Sequence, residues 1–283
     1  MNLTELLTSI EIGLIYGIVA IGIFFTSRII NFPDLTCDGS FVLGAVTSAI
    51  FIKNGYHPII ALCCATLSGG MAGFTTGLLN TKLNINNLIS GILVAFMLYS
   101  VNLRIMGGIP NIALIDQATI FSNLNSLGLL IIISIIIWLL CSYLLVTDYG
   151  LAIRSIGQNK RLAVNLGVRQ QQTIITALIL SNSLIGFGGA LFSQHQGFAD
   201  ISQGIGTIII GLAAITIGES MLPFRSPWIT IASCILGSTI YRIFIAIALH
   251  SDQLGLETQD LNIITGLLVI GVMMIPNKRK SLC

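Results

Sequence analysis

Charge is what this sequence has least of. Of 283 residues, 13 are Lys or Arg and 11 are Asp or Glu, together 8%, where a soluble domain carries ~25%. With 54% hydrophobic residues and a mean hydropathy of +0.94, this scarcity excludes a soluble enzyme, a disordered chain and a nucleic-acid-binding protein. The six cysteines (Cys37, Cys63, Cys64, Cys141, Cys234, Cys283) lack metal-ligand spacing and read as small apolar packing residues. The three histidines, His57, His195 and His250, lie far apart and read as loop or helix-end residues. No G-x-x-x-x-G-K-[ST], G-x-S-x-G or H-E-x-x-H stretch occurs, so neither a catalytic residue nor a metal site is expected. Met1 to Gly13 contains Glu5 and Glu11 but no basic residue, unlike a signal peptide, so the apolar run from Ile12 is expected to be a permanent span.

What the chain has is apolar runs. A membrane-spanning helix needs ~20 mostly apolar residues. Nine segments fit between polar breaks: Ile10–Phe25, Gly39–Ile52, Pro58–Leu79, Leu88–Met106, Leu127–Val146, Thr173–Leu191, Gly204–Ile217, Trp228–Leu249 and Leu261–Ile275. The expected fold is an all-α polytopic membrane protein, one domain over residues 1–283. Residues 10–106 form a first half, 127–146 a linking span, 147–172 a loop and 173–275 a second half. The second and seventh segments are short and contain glycine, so they are expected to be broken, tilted or sheltered by other helices.

Orientation follows the basic residues. If the loop between segments five and six faces the cytoplasm, that side collects Arg28, Lys82, Arg154, Lys160, Arg161, Arg169, Arg225, Lys278, Arg279 and Lys280. The other side collects Lys53 and Arg104, and Arg242 falls inside segment eight. The split predicts the N-terminus outside and the C-terminus in the cytoplasm.

Two stretches recur. Phe32-Pro33-Asp34-Leu35-Thr36, followed by Gly39, resembles Phe198-Ala199-Asp200-Ile201-Ser202, followed by Gly204. Leu88–Val94 likewise resembles Ile263–Val269. In this topology the copies run in opposite directions, so segments one to four and six to nine are read as an inverted repeat, a pattern common in transporters. Chance similarity in an apolar alphabet is the competing explanation.

The candidate pathway or gate residues are Asn31, Phe32, Asp34, Asp38 and Gly39, with Phe198, Asp200 and Ser202 in the second copy. The acids have a plainer reading as helix-start caps, since carboxylates and a preceding proline favour helix N-termini. Glu11 and Arg242 are read either as an ion pair, within one chain or across a dimer, or as separate residues snorkelling to headgroups. Arg104 reads as an interface anchor. Asn102, Ser181, Asn182 and Ser183 either line a pathway or hydrogen-bond between helices. Gly69, Gly73 and Gly77, four apart, read as close helix packing.

The loop Thr147–Gln172 is the most specific feature. Two short helices fit around Gly157. Asn159 suits the N-cap of Lys160–Leu166, and Gly167 suits the position just past its end. So short a helix must dock on something. Ile153, Ile156, Leu162, Ala163 and Leu166 offer an apolar face, and Arg154, Lys160, Arg161 and Arg169 supply charge for a partner or for lipid headgroups.

Gly150-Leu151-Ala152-Ile153-Arg154-Ser155-Ile156-Gly157-Gln158-Asn159, then Ala163 and Leu166-Gly167-Val168, resembles the coupling loop of ABC importer permeases of the branched-chain amino acid and ribose type. Asn31-Phe32-Pro33-Asp34-Leu35-Thr36-Cys37-Asp38-Gly39-Ser40-Phe41 is similar to an early motif of that family, nearest the subgroup tied to uptake of tryptophan or other aromatic amino acids. The resemblance implies a permease subunit without enzymatic activity that works as a homodimer in a bacterial inner membrane. It implies a cytoplasmic ATPase dimer that carries ATP and magnesium, and an extracytoplasmic substrate-binding protein. It assigns ATPase coupling to Gly150, Arg154, Gly157, Asn159, Ala163, Leu166 and Gly167. The alternative is an ion-coupled secondary transporter, which would need buried acids; the sequence offers Glu11 alone.

Overall fold

The long apolar runs are helical almost from end to end. The structure, a computed structural model, describes residues 3–249 apart from 116, 123–124 and 223–225, together with 266–267 and 270–271. Helix α1 (Leu3–Phe24) continues into a π-helical turn, Phe25–Ile29. It is followed by α2 (Thr36–Lys53), α3 (Pro58–Thr81), α4 (Asn87–Ile105) and α5 (Ser126–Val146). Two short helices, α6 (Asp148–Gln158) and α7 (Lys160–Asn165), lead into α8 (Gln170–Gln196), then α9 (Thr207–Met221) and α10 (Pro227–Leu249). Seven helices among the described residues are long and apolar enough to cross a membrane. The seventh predicted segment, α9, has 15 residues and a rise of ~22 Å, short of a ~30 Å hydrocarbon core. The ninth predicted segment, Leu261–Ile275, lies almost wholly outside the described residues, as do Arg225, His250, Lys278 to Lys280, Cys283 and most of Ile263–Val269.

The bundle has two distinct ends. One carries α6 and α7, the C-terminal ends of α1, α3, α5 and α9, and the starts of α4, α8 and α10. Contacts tie it together: Gln171 Nε2 donates to the Thr81 carbonyl at 3.3 Å, and Arg28 pairs with Glu219 at 2.7 Å. The other end carries two three-residue strands that the sequence reading did not anticipate, β1 (Asn111–Ala113) and β2 (Phe198–Asp200). They pair antiparallel, with Asn111 opposite Asp200 and Ala113 opposite Phe198. Of the described basic residues, Arg28, Lys82, Arg154, Lys160, Arg161 and Arg169 belong to the α6–α7 end, and Lys53 and Arg104 to the strand end.

Helices α1, α2 and α8 form the centre. Ile15, Ile18, Val19, Ala20 and Ile21 are fully enclosed along α1, so this helix is apolar all round, as burial on every side demands. Helices α4 and α5 present Phe96, Ile132 and Leu140 outward, as lipid-facing helices do. Where α2, α3 and α8 meet, backbones touch. A Cβ on Gly73 would lie 2.2 Å from the Leu178 carbonyl oxygen, one on Gly69 2.3 Å from that of Asn182, and one on Gly44 2.0 Å from that of Gly186. The Gly69–Gly73–Gly77 stripe is thus a packing seam, as its spacing suggests. Gly73→Leu is expected to lower the thermal midpoint of the detergent-purified chain by several degrees, from ~1–3 kcal/mol of overpacking. Gly128→Ala, where a Cβ meets nothing within 4 Å, should leave it unchanged or slightly raised.

Between the π turn and α2 the chain is not helical. Asn31 adopts φ +53, and Phe32 and Asp34 are both buried. Irregular backbone at membrane depth is tolerated where protein encloses it, and here α3, α4 and α8 do so. On the other side, residues 201–206 lead from β2 to the start of α9, where Gly206 (φ +82) supplies the left-handed turn that Cβ-bearing residues resist.

Candidate functional site

The polar residues of the first loop converge. Asp34 is 1% exposed. Its Oδ1 accepts from the Thr36 amide at 2.9 Å, capping its own helix. Its Oδ2 accepts from Asn182 Nδ2 at 2.8 Å. Asn182 Oδ1 accepts in turn from Ser40 Oγ at 2.7 Å, and the Thr36 and Thr76 hydroxyls bond at 2.7 Å. A buried carboxylate survives only when its oxygens are occupied in this way. Asp34 is therefore both a cap, as its plainer reading held, and the post to which α8 ties the loop. Ser181, read with Asn182, donates to the Gly22 carbonyl at 2.7 Å, which favours its helix-bridging reading.

Asp38 also caps a helix, though not its own. Its Oδ2 accepts from the Gly206 amide at 3.2 Å and its Oδ1 from the Ile208 amide at 3.0 Å. The first-half carboxylate thus sits on the positive N-terminal end of α9 in the second half. The chemistry was legible from the sequence; which helix it served was not. Gly39 packs on Leu98, with a Cβ position 2.8 Å from the leucine Cδ1.

Asp200 repeats the local geometry of Asp34. Its Oδ1 accepts from the Ser202 amide at 2.7 Å and from the Ser202 hydroxyl, and its Oδ2 accepts from Asn111 Nδ2 at 3.1 Å. Burial pushes this carboxyl up, but the Ser202 and Asn111 bonds outweigh it and hold it below the usual carboxylate range. A group depressed in the folded state adds stability above its unfolded pKa of ~4 and loses it as pH falls through the lower folded value. The acid limb of a thermal-stability profile should therefore flatten in Asp200→Asn; an unchanged acid limb would show that these bonds contribute nothing.

Glu11 and Arg242 do not pair within the chain. Glu11 Oε2 meets His195 Nε2 at 2.9 Å, and His195 stacks edge-on against Phe121. Arg242 instead lies 4.2 Å above the centre of the Tyr16 ring, a cation–π contact. His195, read as a loop or helix-end residue, lies in the last turn of α8. Sequence reasoning gave no role to Gln194 beside it, whose amide bonds Ser48 Oγ at 2.9 Å, the Pro58 carbonyl at 3.3 Å and the Ile120 amide at 3.2 Å. A polar run, Ser193 to Gln196, at the end of an apolar span was the available signal. Among the described residues, no cluster of three or more His, Cys, Asp or Glu is placed to hold a metal.

The loop helices are capped as their sequence suggests. Asn159 Oδ1 accepts from the Leu162 amide at 3.1 Å. Gly167 has φ +90, and the Gly167 and Val168 amides return to the Val164 and Ala163 carbonyls at 3.0 Å each, the paired bonds of a Schellman ending. Two details differ from expectation. The break between the helices falls at Asn159, and Gly157 lies within α6. Its role is close approach, because a Cβ there would sit 1.6 Å from the Ile29 carbonyl oxygen at the end of the π turn. The expected apolar face also divides. Ile153, Ile156 and Ala163 are buried against the bundle, while Leu162 and Leu166 are 57% and 73% exposed. Gly150 fits tightly against the Leu144 carbonyl. Arg154 is half-buried, and its Nε has no hydrogen-bond partner.

With this geometry in place, residues 6–276 match the family described as branched-chain amino acid transport system / permease component. The chain belongs to that family. A tyrosine transport system permease protein of Clostridioides difficile (strain R20291) is 36% identical over 95% of this permease and 90% of its own length. Among solved structures, PsaBC from Streptococcus pneumoniae in complex with Fab shares the fold at a TM-score of 0.55 and 12% identity, covering 98% of this chain and 92% of that one. An ABC transporter described as metal-chelate type, in an inward-facing conformation, matches at 0.52 and 16%, covering 96% and 86%. The permease is a multi-span membrane protein.

Proposed function

We propose that this permease is the membrane subunit of an ATP-driven importer that carries an amino acid, aromatic or branched-chain, into the bacterial cytoplasm by alternating access. The observation that carries the reading is the divided face of α6–α7. Its inner residues lock onto the π turn through Gly157 and Ile29. Its outer residues, Leu162 and Leu166, stand exposed beside Lys160 and Arg161. An apolar patch rimmed with charge is a docking surface, and here it suits a cytoplasmic ATPase. ATP and magnesium belong to that ATPase, a second copy of the permease completes the pathway, and a binding protein delivers solute at the strand end. The C-terminus lies in the cytoplasm.

The inverted repeat has support in detail. Asp34 and Asp200 make the same Oδ1 bond to the amide two residues on. The offset of 166 between them also relates Asp38 to Gly204, and these two touch, with a Gly204 Cβ position 2.1 Å from the Asp38 carbonyl oxygen. Helices α2 and α9, which follow the two loops, run toward opposite ends of the bundle. The test is reconstitution of the permease with its cognate ATPase and binding protein in proteoliposomes. Uptake of labelled tyrosine, leucine or another amino acid that requires ATP on the ATPase side is the expected result. Uptake by the permease alone under an ion gradient would overturn the reading.

A further inference from the structure

A small cleft of about 100 Å³ opens between α2, α4 and residues 201–205. Its mouth is framed by Tyr99 and Ile205, both exposed. Its floor carries Asp38 and Asn102. Asn102 is 1% exposed. Its Nδ2 donates to the Gly39 carbonyl at 3.2 Å, which fixes the amide's orientation. Its Oδ1 is buried and has no partner, an expensive vacancy of ~1–3 kcal/mol that native proteins seldom leave without purpose. Asp38 gives one lone pair on each oxygen to the start of α9; a carboxylate has about four, so acceptor capacity remains. The cleft therefore offers a carboxylate and an amide oxygen, and no basic side chain lines it.

The geometry points to this cleft as a binding site for the ammonium group of the solute, with Asp38 and the Asn102 Oδ1 as its acceptors. An ammonium brings three donors and fits the volume, whereas a carboxylate would lie against the like charge of Asp38 with no basic side chain to offset it. Tyr99 at the mouth supplies a ring face for the cation or for an aromatic side chain. The inference rests on the amino acid import reading and assigns this chain a contact with the solute's amine.

The test uses the full-length permease in nanodiscs and saturation-transfer NMR with three probes: tyramine (amine only), 3-(4-hydroxyphenyl)propionate (carboxylate only) and L-tyrosine. Tyramine and tyrosine should receive transfer, and the propionate at least fivefold less. Asn102→Ala should reduce the amine signals at least fivefold. Ala95→Phe, which fills the cleft without removing a hydrogen bond, should do the same. Equal transfer to the propionate, or amine signals unchanged in both variants, overturns the site. Uptake of labelled tyrosine by the assembled complex separates the two readings. Uptake undiminished in both variants sinks the cleft and leaves import standing; amine binding that both variants abolish, in a complex that never imports, does the reverse.

Discussion

Gly157→Val is expected to cut ATP-driven uptake at least tenfold while the chain still inserts and purifies. Any Cβ at this position would fall 1.6 Å from the Ile29 carbonyl oxygen, well inside the contact limit. Backbone on both sides forms the obstacle, so no side chain can rotate away. Helix α6 must lift, and Ile153 and Ile156, now fully buried beneath it, lose part of their seat. Overpacking of this kind costs ~1–3 kcal/mol, and each 1.4 kcal/mol shifts the docked population tenfold. The decisive comparison is between hydrolysis and uptake by the same reconstituted complex. ATP hydrolysis that continues without uptake marks a broken transmission; normal uptake would show that α6 does not transmit force through the end of α1.

The second large effect is expected at Asp34. Asp34→Leu strips an acceptor from the Thr36 amide and from Asn182 Nδ2. Each buried donor left unmet costs ~1–3 kcal/mol, and the first loop then loses its tie to α8. Folded yield should fall several-fold, as measured by fluorescence-detected size exclusion. A swap tests the bond, with loss of the second Asn182 Nδ2 bond, to the Leu178 carbonyl at 3.1 Å. In Asp34→Asn with Asn182→Asp, the new amide at 34 donates to the new carboxylate at 182, which still accepts from Ser40. The swap should recover at least half of the yield lost in Asp34→Asn alone. No recovery in the swap, beside an unchanged yield in Asn182→Ala, would mean that Asp34 acts through Thr36 only.

What the sequence disclosed depended on how local the cause was. Helix positions were legible because apolar length alone decides them, and the eight segments within the described residues each coincide with a helix. Asn159 and Gly167 were legible because caps act over three or four residues. The roles set by distant neighbours were not. Glu11 finds His195 at a separation of 184 positions, and Asp38 caps a helix whose first amide lies 168 positions on. Strands of three residues carry no periodicity to detect. Leu162 and Leu166 share an apolar alphabet with Ile153 and Ile156, so composition did not separate the face that docks from the face left open. The candidate gate residues could therefore be named from the sequence, while their bonding partners came only from the fold.

The partners of Asp34 and Asp38 also set a schedule for assembly. Asn182 follows Asp34 by 148 residues. At ~5–20 residues per second, the ribosome needs ~7–30 s to supply it. Throughout that interval the nascent first half holds two carboxylates at bilayer depth without their final partners, a costly condition in hydrocarbon. The first half is thus a natural client of the insertion machinery until α8 and α9 arrive. Splitting the gene between the halves would make that wait depend on the encounter of two separate polypeptides.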